Sequence, residues 1–122
     1  MSVAQGSLNP SDNRTIGLIS LAHGTSHFYH LVLPPLFPWL KIEFALSYAE
    51  LGLLMTIFFV VSCVVQASSG FLVDHKGARP VLFAGVGLLA MSALTYAVSS
   101  SYVGLVIGAV LMGCGNGVFH PV

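Results

Sequence analysis

Between Ile16 and Leu40 the chain carries no Asp, Glu, Lys or Arg, and the same holds from Leu51 to Val73. Coiled into helix at about 1.5 Å per residue, either run is longer than the ~30 Å hydrocarbon layer of a bilayer. Two more uncharged runs follow, Val81–Val98 and Tyr102–Val122. Only 7% of the residues are charged and 56% are hydrophobic, whereas a soluble domain carries about 25% charged side chains. So little polar material cannot cover a surface facing water. The expected fold is an all-α integral membrane protein with four transmembrane helices, and its first partner is the lipid bilayer. A formal net charge of zero and the lack of a basic face argue against a nucleic-acid partner. Cys63 and Cys114 both fall inside apolar runs, where they read as small packing residues rather than a redox pair. No secretory signal peptide is visible, because the first run is too long and contains prolines and histidines.

The short polar intervals set the order and orientation. Met1–Thr15 reads as a polar, mobile tail with turn chemistry at Asn9-Pro10. In the first run, Pro34, Pro35 and Pro38 should kink or loosen the helix, and Trp39 and Lys41 mark the membrane–water interface. Lys41–Glu50 reads as the first loop and Ser99–Ser101 as a minimal third one. Between them lies Gly70–Pro80, where three formal charges crowd together. Asp74 ends one run, Gly77 allows a sharp turn, and Pro80 suits the first position of the next helix. Cytoplasmic loops are enriched in Lys and Arg, so Lys76 and Arg79 place this loop in the cytoplasm and Arg14 places the N-terminus there too. The localisation implied is a multi-pass cell membrane protein, of the inner membrane in a bacterium. The fourth run reaches the last residue with no polar flank, from which a longer protein, with further helices, is expected.

Few residues could carry chemistry. His23, His27 and His30 are spaced four and three apart and share one helix face. Imidazoles in a membrane span are costly unless they meet water, a partner or a substrate. A proton relay or substrate-binding face accounts for them, and so does a structural role with the rings satisfied by neighbouring hydroxyls and backbone. A metal site is disfavoured, as no carboxylate or thiolate stands near to complete a shell. Ser26 and Tyr29 add polar capacity nearby. Further on, Asn116 and His120 lie one helical turn apart and could face an aqueous cavity. The glycines around them read as helix-packing positions, since Gly104/Gly108 and Gly113/Gly117 both have the G-x-x-x-G spacing. Asp74 opposes the dipole of its own helix and calls for a partner, with Lys76 or Arg79 at hand. No nucleophile–base pair stands out, so neither an enzyme nor a cofactor is expected.

Gly70, Leu72, Asp74, Gly77, Arg79 and Leu82 resemble the signature G-x-L-x-D-x-x-G-[RK]-[RK]-x-x-L, found between helices 2 and 3 of major facilitator superfamily transporters. Ala78 departs from it, leaving Lys76 and Arg79 to supply the charge. The segments ISLAHGTSHF and GCGNGVFHP look like the fosmidomycin-resistance-type branch of multidrug exporters, whose members often carry an acid where His27 stands. The resemblance implies alternating-access transport of a small solute, driven by protons and directed outward. It implies a cytoplasmic latch at Gly70, Asp74, Lys76, Gly77 and Arg79, and a half-cavity lined by His23, His27, His30, Asn116 and His120. It also implies two six-helix halves with the substrate site between them, so four helices should not transport alone. Two other readings stand beside it: a small dimeric multidrug exporter, which would need a membrane-buried glutamate absent from Ile16–Leu40, and a non-transporting adaptor subunit.

Overall fold

A computed structural model describes residues 10–120. Most of the expected polar tail (1–9) and the last two residues of the fourth run (121–122) lie outside the described residues. Four helices make up the rest: α1 (Pro10–Glu43), α2 (Tyr48–Lys76), α3 (Ala78–Val98) and α4 (Tyr102–Gly117). By length and composition, α2 and α3 are long and apolar enough to cross a membrane. Helix α1 has the length, with 34 residues, but dilutes its hydropathy with histidines and hydroxyls. Helix α4 is apolar but only 16 residues long.

The junctions are tighter than the sequence suggests. Between α2 and α3 the whole connection is Gly77, whose φ of 82° and ψ of 158° suit a residue without a Cβ. Pro80 is therefore the third residue of α3 rather than the first. It remains within the first turn, where backbone N–H groups have no partner in the helix. Helix α2 starts on a capping box: Ser47 Oγ accepts from the Glu50 N–H, and the Glu50 carboxylate accepts from the Ser47 N–H at 2.8 Å. Helix α1 continues through Pro34, Pro35 and Pro38, where a kink or loosening was expected. In membrane helices such interruptions are tolerated where neighbouring helices, hydroxyl side chains or local backbone adjustment re-satisfy the carbonyls that the prolines leave free.

Helix α4 is the centre of the bundle. It packs extensively along both α2 and α3, while α1 is only lightly docked against α2 and α4. Glycine makes this close approach possible. A Cβ at Gly113 would lie 2.8 Å from the Phe58 carbonyl oxygen, and one at Gly117 2.7 Å from that of Ser62, both on α2. A Cβ at Gly115 would lie 2.9 Å from the Gly85 oxygen on α3. Alternate glycines thus serve opposite neighbours. The start of α4 lies by the start of α2, with the Tyr102 hydroxyl donating to the Glu50 carbonyl at 2.9 Å. Its end reaches Ser69, whose hydroxyl donates to the Gly117 carbonyl at 3.3 Å. The two helices therefore run parallel, and α3 runs opposite to them, with Ser92 donating to the Gly108 carbonyl at 2.8 Å.

The buried apolar residues on α2 include Leu51, Leu54 and Phe58, joined on α4 by Leu105, Ala109 and Met112. Much of the apolar remainder faces outward, including Leu21, Leu31, Phe71 and Phe83, each about 70% exposed. An exposed apolar belt of this extent belongs against lipid or further helices. Cys63 is exposed and Cys114 half-buried, both as free thiols.

Candidate functional site: an asparagine joined to a histidine cluster

The end of α4 and the middle of α1 meet at one polar centre. Asn116 is 1% exposed, held there by Gly115 and Gly117, which let α3 and α2 close in on either side. Its amide reaches three side chains on two other helices. Nδ2 lies 2.7 Å from His30 Nε2 on α1 and donates to Ser62 Oγ on α2 at 2.8 Å. The amide oxygen accepts a short hydrogen bond from the hydroxyl of Ser26 on α1. Ser26 and Ser62 are themselves buried. A buried amide left unpaired costs about 1–3 kcal/mol, and here both donors and the acceptor are engaged.

From His30 the polar centre spreads along α1. The ring of His27 stands 5.5 Å from that of His30, and His23 stands 4.7 Å from His27, each pair edge to face. The Nε2 atoms of His23 and His27 are 3.0 Å apart. That contact holds one proton between the two rings, which one nitrogen donates and the other accepts. His120 completes the group, its ring 5.8 Å from His23 and 6.2 Å from His27. On the inner side His30 packs against Phe58 and Phe59 of α2, with ring centroids 5.2 and 6.0 Å away. His27 and His120 are exposed, and His23 and His30 are half-buried. The cluster thus has a dry end at Asn116 and an open end at His27 and His120.

All five cavity candidates from the sequence meet here: His23, His27, His30, Asn116 and His120. One is reached differently from expectation. His120 does not follow Asn116 on a continuing helix, because α4 stops at Gly117 and a turn closes with the Phe119 N–H on the Asn116 carbonyl at 3.2 Å. Pro121 keeps His120 itself out of helical backbone, since the residue before a proline is driven out of it. Ser62 was not singled out beforehand, although it is one of the amide's partners. No sequence signal marked it: only the structure shows that Leu51, Leu54, Phe58, Ser62 and Ser69 are the buried positions, at intervals of three, four or seven along α2. The conspicuous polar residue of that helix, Gln66, is exposed. Among the described residues no group of three His, Cys, Asp or Glu is arranged to hold a metal ion. The second group of candidates, Asp74, Lys76, Gly77 and Arg79, is exposed around the α2–α3 junction, with Gly70 half-buried one turn before it.

Residues 19–122 match the family model of the Major Facilitator Superfamily. The chain belongs to that superfamily. It is similar to the fosmidomycin resistance protein of Escherichia coli (strain K12), at 26% identity over 106 residues covering 87% of this chain and 26% of that protein. It is also similar to an uncharacterized MFS-type transporter, YfnC, of Bacillus subtilis (strain 168), at 25% identity over 104 residues covering 85% of this chain and 25% of that one. The chain therefore spans about a quarter of the length of these superfamily relatives. No solved structure matches it. Family and composition together make this a membrane protein of a transporter superfamily.

Proposed function

We infer that the chain forms the first four membrane-crossing helices of a secondary active transporter that exports a small solute by alternating access, driven by protons. The observation that carries this reading is the histidine cluster joined to Asn116, where α1 and α4 of a superfamily member meet in a bundle whose apolar runs Ile16–Leu40 and Leu51–Val73 hold no carboxylate. His23 and His27 already share a proton position, so the cluster can take up and release protons with little rearrangement. His27 and His120 form its open side, accessible to solute and water. Outward direction draws on the likeness to a fosmidomycin resistance protein.

The N-terminus and the α2–α3 junction lie in the cytoplasm in this reading, at the inner membrane of a bacterial cell. The positive charges of Arg14, Lys76 and Arg79 support it, and α2 runs parallel to α4 and opposite to α3, as successive crossings require. Gly70, Asp74, Lys76, Gly77 and Arg79 act as the latch that engages the cytoplasmic face of the other helices in one of the two access states. Their exposure supports an external contact. The remaining helices are supplied by the rest of a protein the length of its relatives, and they complete the cavity.

Fosmidomycin is the first solute to try. Cells making the protein from its complete reading frame should accumulate less fosmidomycin than control cells, and a protonophore should abolish the difference. Equal accumulation for fosmidomycin and for a panel of other antibiotics would remove the export reading.

A further inference from the structure

The Asn116 amide holds three partners in a way that depends on which groups carry hydrogens. In the arrangement described, Nδ2 points at His30 Nε2 and Ser62 Oγ, and the oxygen points at Ser26. His30 Nε2 can accept from Nδ2 only if that nitrogen is bare. The ring is then neutral, with its hydrogen on Nδ1. A protonated His30 presents an N–H at the same place, and two donors would face each other.

The network has a second arrangement that keeps all three contacts and leaves one amide N–H without a partner. A half-turn of the amide about its terminal torsion exchanges oxygen and nitrogen. The oxygen then accepts from His30 Nε2–H and from the Ser62 hydroxyl, and Nδ2 donates to Ser26 Oγ. Hydroxyls act as donor or acceptor, so Ser26 and Ser62 follow by rotating their hydrogens. Every contact survives with its polarity reversed, and no helix has to move.

We propose that Asn116 is the positioning residue that lets His30 gain and lose a proton inside the bundle, by turning its amide over and reversing the hydroxyls of Ser26 and Ser62. The titratable groups facing His30 are His27 on its own helix and His120 beyond the end of α4. Helix α2 presents only Phe58, Phe59 and the Ser62 hydroxyl network. The titratable groups of α3, Arg79 and Tyr96, stand near its two ends. No carboxylate among these groups can balance a charge on His30, which leaves the amide oxygen as the group able to receive its proton-bearing nitrogen. The proposal rests on the reading that the histidines exchange protons during transport.

The test is nitrogen NMR on the protein made from its complete reading frame, with histidine labelled and His30 assigned by the signals lost in His30→Gln. In the wild type, neutral His30 should carry its hydrogen on Nδ1. In Asn116→Asp the carboxylate offers no donor, so neutral His30 should switch to the Nε2–H tautomer. Its charged form should persist to about one to two pH units higher, because the hydrogen bond to the carboxylate is charge-assisted. Asn116→Leu should move the midpoint the other way. Asp is close in shape to Asn and keeps the test open if the leucine variant does not fold. An unchanged tautomer and midpoint in Asn116→Asp would overturn the proposal. If proton-driven flux survives unchanged in His23→Gln, His27→Gln and His120→Gln, the transport reading fails, and the His30 tautomer still decides the role of the amide.

Discussion

Replacing Gly117 by alanine would drive a methyl group into α2. The new Cβ would sit 2.7 Å from the Ser62 carbonyl oxygen, 2.8 Å from Val65 Cβ and 2.9 Å from Val65 Cγ1, where ordinary contact begins at 3.4 Å. The nearest atom belongs to the backbone, so no rotamer change relieves the clash, and α2 and α4 must separate by roughly half an ångström along a packed face. Overpacking of this kind costs about 1–3 kcal/mol. The internal control is Gly87→Ala on α3, where a Cβ meets nothing within 4 Å. In a helix interior that change is favourable by about 0.5–1 kcal/mol through chain entropy. The two chemically identical substitutions should therefore differ by roughly 1.5–4 kcal/mol when unfolding is followed by circular dichroism in mild detergent titrated with a denaturing one. A difference below about 0.5 kcal/mol would refute the placement of α4 against α2, since it is far under the overpacking range.

Three further outcomes follow from the junctions and buried hydroxyls. Gly77→Ala should destabilise the protein by about 1–3 kcal/mol in the same titration, because a side chain does not tolerate its backbone conformation. Ser47→Ala removes the side-chain half of the box that starts α2 and should cost about 1 kcal/mol, with the added exchange of backbone amides confined to the first turn of that helix. The Tyr96 hydroxyl is buried without a hydrogen-bond partner among the described residues. Tyr96→Phe should therefore leave stability unchanged or raised, and a loss above about 1 kcal/mol would show a partner for it.

Much of this was legible in the sequence, for reasons tied to particular residues. Charge is rare enough here that Asp74, Lys76 and Arg79 announce the α2–α3 junction by themselves. The histidine spacing of four and three put His23, His27 and His30 on one face with no further information. What the sequence withheld is which face of each helix turns inward. Helices apolar all round carry no amphipathic signal, so Ser62 could not be ranked above Gln66, although Ser62 is buried and Gln66 exposed. Small-residue spacing was a better guide than hydropathy. The pair Gly113/Gly117 marked the α2 contact, and Gly115, outside that spacing, turned out to serve α3. Local rules also misled in one place: the fourth helix ended earlier than its apolar run.

The central claim is that protons drive transport through the histidine cluster. Its most direct test is solute flux in vesicles containing the protein from its complete reading frame, with His23, His27, His30 and His120 all replaced by glutamine. Two fluxes are compared, one driven uphill by an imposed pH gradient and one running downhill without it. The account predicts that uphill flux is lost while downhill flux persists. Uphill flux at the wild-type rate in the fourfold variant would contradict it.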